Sequence, residues 1–299
     1  MSLPDEIRAA AARVAADARH VRIVGDVIEP YAAGLPAESP PGPDLDGGSL
    51  EERAAFVLTL NAINFGSGWF PTLRKAPRMS GFRTVEAGLK AHGAFSAGQL
   101  AAMTPATIAE TVGQDPGHEL MGHFATHLRE LGERVRDEHD GSFLALARSG
   151  DGSATALAEH LGGWPTWRDV SSYDGTEVPF FKRAQIAAAD LALAGIAPAD
   201  DLPELTLFAD NLVPHVLRID GVLEFDPDLV DRIDAETMIE HDSPEEVEIR
   251  ACALHAVELL VEAQGGATTA TTVDYILWTR GAAARYKAHP RHRARTTDY

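Results

Sequence analysis

The chain has 299 residues, 45% of them hydrophobic and 24% charged, which is enough to bury a large core in an ordinary globular protein. Its formal charge of −19 repels a phosphate backbone, so stable nucleic-acid binding is not expected unless a local basic patch overrides the field. A lone cysteine, Cys252, rules out an internal disulfide and a thiolate metal cluster, and no window is long and apolar enough to cross a bilayer.

The N-terminus, MSLPDEIRAAAARVAADARH, reads as an amphipathic helix with acids in it rather than a signal peptide, so a cytoplasmic protein is expected. VRIV at 21–24 is the best strand signal. The stretch from Pro36 to Gly48, rich in proline, glycine and acid, reads as an exposed loop. Ser49-Leu50-Glu51-Glu52 is a capping box that opens a helix through Phe56, Val57 and Leu60 towards Ile63. Thr104-Pro105 starts another helix, with proline at its first position. Asp115-Pro116 opens a third, whose Leu120, Phe124, Leu128 and Leu131 recur at helical spacing until Gly132 stops it.

Leu205–Phe208 reads as extended. Asp226-Pro227 and Ser243-Pro244-Glu245-Glu246 open two further helices, the second carrying Val247, Ala251, Leu254, Val257 and Val261 on one face and ending near Gly265. A last helix is predicted over about Val273–Tyr286. No repeat of fixed period is present. These elements predict a mainly α fold with few short strands. They are read as one compact domain over 1–299, with N-terminal helices (about 1–165) packed on a C-terminal part (about 166–299).

The most informative stretch is Asp174–Arg218. It places Lys182 and Arg183 at the mouth of an apolar helix and, some thirty residues on, a lone acid in LTLFADNLVP. A carboxylate among Phe208, Ala209, Leu212 and Val213 has to find partners or titrate abnormally, which marks Asp210 as a functional candidate. It also precedes the helical NLVPHVLR, so capping and catalysis are both open readings. Between Asn61 and Pro71, Phe65, Trp69 and Phe70 interleave with glycines, as suits stacking on a planar base or plugging a core after a helix stop. No P-loop, dinucleotide fingerprint or GxSxG elbow is present.

His118, His123 and His127 share one predicted helix, but their spacing is not that of the zinc hydrolases. They read as surface histidines, and no metal site is expected. Glu246, Glu248, Arg250 and Glu258 read as surface charges of a long helix. Asp274 and Trp278 stand at i,i+4 on the last helix, as a packing anchor or a pocket wall. The basic C-terminus, from Arg280 to Arg295, reads by default as a solvated tail.

Taken in order, FFKRAQIAAADL (180–191), LTLFADNLVPHVL (205–217), EVEIRACALHAVEL (246–259), DYILW (274–278) and the tail HPRHRARTTDY (289–299) resemble the queuosine-salvage family, the queuosine 5′-phosphate N-glycosylase/hydrolases. That family is itself similar to the helix-hairpin-helix DNA glycosylases, whose catalytic Asp sits in an apolar turn. The resemblance therefore implies a compact helical domain of that kind. It implies hydrolysis of queuosine 5′-monophosphate to queuine and ribose 5-phosphate, for return of queuine to tRNA.

In that reading Asp210 is the catalytic carboxylate, and Lys182 suits the 5′-phosphate. Asn64, Phe65, Trp69, Asn211, Glu248, Asp274 and Trp278 line the substrate, with no metal and no organic cofactor. The partner is a small nucleotide, without stable nucleic-acid or membrane binding. Where the family often has an aromatic and a basic residue after the FAD acid this chain has Asn211 and Leu212, and His215 stands where a glutamine is common. These differences bear on which 7-deazapurine is accepted. A nucleosidase for another such base, a nucleic-acid glycosylase and a non-catalytic nucleoside binder are the other readings of the same residues.

Overall fold

A computed structural model describes residues 1–36, 40–45 and 47–299, so part of the expected Pro36–Gly48 loop lies outside the described residues. The fold is mainly α: fifteen helices and four short strands among the described residues. They divide into two compact units, and the chain enters each more than once. One unit holds Met1–Pro41, Asp169–Lys182 and Asp201–Arg295; the other holds Gly42–Arg168, Arg183–Asp200 and Thr296–Tyr299.

The first unit is organised around the helix Pro244–Ala263. Ser243 caps it, its hydroxyl accepting from the Glu246 N–H, and every residue from Glu246 to Leu254 is buried. A helix covered on all sides must be surrounded by other elements. Here the helices Leu3–Asp17, Gly25–Ala33, Val213–Ile219 and Ala270–Arg280 all pack on it. The strand read at 21–24 forms as Val21–Ile23 and pairs antiparallel with Leu223–Phe225 in the register Val21↔Phe225. A second hairpin joins Val170–Tyr173 to Thr176–Pro179. Its two-residue turn is Asp174-Gly175, both left-handed (φ 48° and 79°), which is the turn chemistry that fits strand twist. Leu205–Phe208 joins no sheet. The predicted last helix is broken: it runs Ala270–Arg280, is capped by Gly281, and resumes for one turn at Ala284–Lys287.

In the second unit the helix Glu119–Glu138 is the core element, burying Leu120, Phe124, Leu128, Leu131 and Val135 completely. Two expectations are corrected. Asp115 does not start it; that carboxylate closes a turn on the Gly117 N–H, and His118 is the cap, its Nδ1 accepting from Leu120 N–H at 3.2 Å. Nor does Gly132 stop it. The helix runs through Gly132 because the helix Ala97–Ala101 crosses there so closely that a Cβ would lie 2.3 Å from the Ala101 nitrogen. The Ser49 capping box forms as read, and Leu50–Ala62 packs on Glu119–Glu138 and Phe143–Ala147. Thr104 and Asp226 also cap the helices that follow them.

Candidate active site

Asp210 sits in the first unit at the end of the run Leu205–Ala209, just before the helix Val213–Ile219. It is half-buried. Its Oδ1 accepts from the backbone N–H groups of Leu212 (2.7 Å) and Val213 (3.2 Å), so the capping geometry is real. Both bonds fall on one oxygen. Among the described residues Oδ2 takes no protein hydrogen bond, which leaves one face of a fixed carboxylate for chemistry.

The peptide that carries Asp210 is held from behind. Ala209 gives its carbonyl to Arg250 Nε at 3.1 Å, and Arg250 is fully buried on the central helix. The Arg250 guanidinium forks onto Asp169, Nη1 to Oδ1 at 2.9 Å and Nη2 to Oδ2 at 2.7 Å, and it lies 3.9 Å over the Phe180 ring. Asp169 is equally buried and also accepts from the Lys182 N–H at 2.9 Å. The Asp169 carbonyl takes the N–H groups of Phe180 and Phe181, holding Phe181 at φ 49°, a conformation costly for a bulky residue. One buried ion pair thus ties the strained turn before Lys182 to the turn before Asp210.

Asp169 and Arg250 were not singled out from sequence as site residues. Arg250 was read among the surface charges of its helix, and the structure overturns that reading for three of the four: Glu246, Glu248 and Arg250 are all fully buried, and Glu258 is largely covered. A signal existed. EVEIRACALHAVEL is apolar on every face between its charges, so any charge inside it has to be paired within the protein.

The other expected residues fall in different settings. Lys182 is buried at the first position of the helix Lys182–Leu193. Asn211 is buried and donates to the His292 carbonyl. Asp274 and Trp278 are half-buried on Ala270–Arg280, a helix that packs against Val213–Ile219. Glu248 is filled by protein: Oε2 accepts the N–H groups of Arg19, His20 and Val21, and Oε1 accepts the Tyr173 hydroxyl at 2.7 Å. All of these lie in the unit that contains Asp210.

Asn64, Phe65 and Trp69 belong to the second unit. Phe65 is buried edge-on to Phe124 and 4.5 Å from the His127 ring, with Arg183 over its face at 5.3 Å. Trp69 is buried too, its indole N–H donating to Glu119 at 2.8 Å. Asn64 donates to Asn61. His127, read as a surface residue, is buried, and that desolvation together with the Arg183 charge pushes its pKa down to about 2. Burial likewise pushes the Cys252 thiol up to about 12, which removes it as a nucleophile at neutral pH.

The basic C-terminus is not a loose tail: His292, Ala294, Thr296 and Tyr299 are buried. Within the first unit Arg218 holds the Pro290 carbonyl and Ile239 N–H holds that of Arg293. Desolvation pulls the Arg291 pKa down, and the Asp210 carboxylate opposes it, so a cation stands in the field of the candidate acid.

The sequence comparisons point one way. The profile of the family described as queuosine salvage protein matches residues 46–299. A Sphaerobacter thermophilus protein named queuosine 5′-phosphate N-glycosylase/hydrolase is 36% identical over 268 residues, covering 83% of this chain and 82% of its own length. A Dictyostelium discoideum protein of the same name is 33% identical over 259 residues, 83% of this chain and 79% of its own. A Bos taurus protein, again so named, is 34% identical over 168 residues, about half of each chain (50% and 49%).

Proposed function

The chain belongs to the queuosine salvage protein family, and from that premise we propose that it hydrolyses the N-glycosidic bond of queuosine 5′-monophosphate, releasing queuine and ribose 5-phosphate. The single observation that carries this reading beyond the relatives' names is Asp210: a carboxylate anchored through Oδ1 with Oδ2 left uncommitted.

Cleavage breaks C1′–N9 and builds positive charge on the ribose. A fixed carboxylate stabilises that charge, because it needs no reorganisation when the charge appears. The same oxygen orients water for attack on C1′ and takes its proton. The departing base has carbon in place of N7, so its proton must arrive at another atom, N3 or O6, and Asp274 is the acid we assign to the base edge or the cationic amine. Lys182 is assigned to the 5′-phosphate, supported by its charge as a compact ammonium at a helix start. Asn211 and Trp278 remain candidates for the base. Glu248, with four protein donors on its oxygens, has no part in this reading, and Phe65 and Trp69 serve the core. The formal charge of −19 favours a free nucleotide over duplex or tRNA, and the reading puts the enzyme in the cytoplasm.

The test is chromatographic detection of free queuine from queuosine 5′-monophosphate, from the unphosphorylated nucleoside and, as control, of guanine from GMP. Turnover of the queuosine nucleotide that falls by at least a thousandfold in Asp210→Asn is the expected result. No release from any of the three by folded wild type would overturn the hydrolase reading.

A further inference from the structure

In the second unit the helix Glu119–Glu138 ends on Glu138 with His139 as its cap, and the helix Ala154–Gly162 carries His160 in its last turn. The two imidazoles stand edge to face with centroids 5.6 Å apart. The Nε2 atoms of both rings are shut off from solvent and have no hydrogen-bond partner among the described residues. Buried polar nitrogens are almost always satisfied, so two unsatisfied ones on neighbouring rings call for a bridging species. Trp164 packs edge-on against His160 at 5.4 Å and restrains that ring.

A carboxylate completes the group. One ligand atom from each of Glu138, His139 and His160 can be chosen so that all lie within 4.8 Å of one another. Tetrahedral zinc with N and O ligands holds its donors roughly 3.3 Å apart, so closing the set takes only small rotations of exposed or half-exposed side chains. Two imidazoles and one carboxylate suit zinc or its neighbours, and not magnesium, which prefers oxygen.

The Arg134 guanidinium donates to Glu138 Oε1 at 2.5 Å, leaving Oε2 for a ligand, and its charge weakens the site. The Asp140 carboxylate, whose charge acts on His139, works the other way. We propose that Glu138, His139 and His160 bind one divalent transition ion, which clamps the end of one helix to the end of the other. The clamp closes the loop that contains the Phe143–Ala147 helix, and restricting a loop of that size favours the folded state. It is structural and stands apart from Asp210.

The test uses the full chain freed of metal by chelation. ZnCl₂ is titrated calorimetrically in excess magnesium, and CoCl₂ by visible absorption. One equivalent should bind, with the d–d bands of a four-coordinate nitrogen–oxygen site. His139→Gln and His160→Gln should each weaken zinc binding at least tenfold, Glu138→Gln less, and His241→Gln not at all. Circular dichroism confirms that the variants are folded, and the cobalt spectrum of wild type does not depend on them. A spectrum of hexa-aquo cobalt only, zinc binding equal in wild type and the His139→Gln/His160→Gln double variant, or loss of binding in His241→Gln would each overturn the proposal. In the first case water bridges the two rings.

Discussion

Replacing Arg250 by methionine tests whether the buried ion pair is what holds the candidate site in register. The side chain is fully covered and donates to both Asp169 oxygens and to the Ala209 carbonyl. Methionine fills much of the volume but takes the guanidinium fork away from a buried carboxylate that still accepts from the Lys182 N–H. Breaking such a pair from one side costs about 3–5 kcal/mol, against about 5–15 kcal/mol of total stability for a typical domain.

Arg250→Lys keeps the charge but lacks the fork. A single ammonium cannot serve both Asp169 oxygens and the Ala209 carbonyl, so it should lose about 2–3 kcal/mol, less than methionine. Asp169→Asn with Arg250→Met removes both charges and should cost less than the two single changes added together. Urea midpoints with unchanged m-values read out all of these. If Arg250→Met lowered stability by less than about 1 kcal/mol, the pair would not be the anchor argued above. Turnover supplies the second readout: because the Ala209 carbonyl is one residue from Asp210, Arg250→Lys should lower kcat more than it raises KM. A change confined to KM would contradict the positioning role.

Three further outcomes follow from the packing. Gly132→Ala should destabilise by about 2–3 kcal/mol in thermal unfolding, because its Cβ meets backbone atoms of the Ala97–Ala101 helix that have no soft side chain to move. Three buried histidines, His127, His215 and His292, have pKa values pushed down by desolvation to about 2, 4 and 3. The unfolded chain takes up these protons below pH 6.5 before the folded one does, so their stability is full above 6.5 and drains as pH falls towards the folded values of about 4, 3 and 2. At pH 5.5 the three together should cost about 4 kcal/mol relative to pH 8, measured by urea unfolding across that range. Asp190 has the opposite sign. Its carboxylate is half-buried, with Asn61 donating to it at 2.9 Å, and desolvation raises its pKa to about 6. The ionised form is therefore penalised in the folded state, and the penalty grows from about pH 4 to 6 and stays. Asp190→Asn, which keeps an acceptor for Asn61, should stabilise by about 1–3 kcal/mol at pH 8 and by much less at pH 4.

What could be read from the chain divides along a physical line. Ser49, Thr104, Asp226 and Ser243 cap helices through bonds to residues three positions on, so the information is local and the sequence displays it. The hairpin at 170–179 is equally local, since Asp174-Gly175 is a strong turn signal between two strands of four residues. Gly132 shows the limit. A glycine at a helix end and a glycine under a crossing helix look alike until the crossing helix is placed.

The same limit governs the site. Asp210 was legible because a lone acid in LTLFAD violates its surroundings. Its anchoring was not legible, because Arg250 reaches Asp169 across 81 residues and Ala209 across 41. Glu248 makes the point from the other side: a buried acid in the right helix looks like a substrate ligand until the three N–H groups at 19–21 and Tyr173 are seen to fill it. A buried charge announces that it has a partner, but not whether that partner is substrate or protein. The count of donors around each oxygen separates the two, and among these carboxylates it is Asp210 that keeps an oxygen to spare.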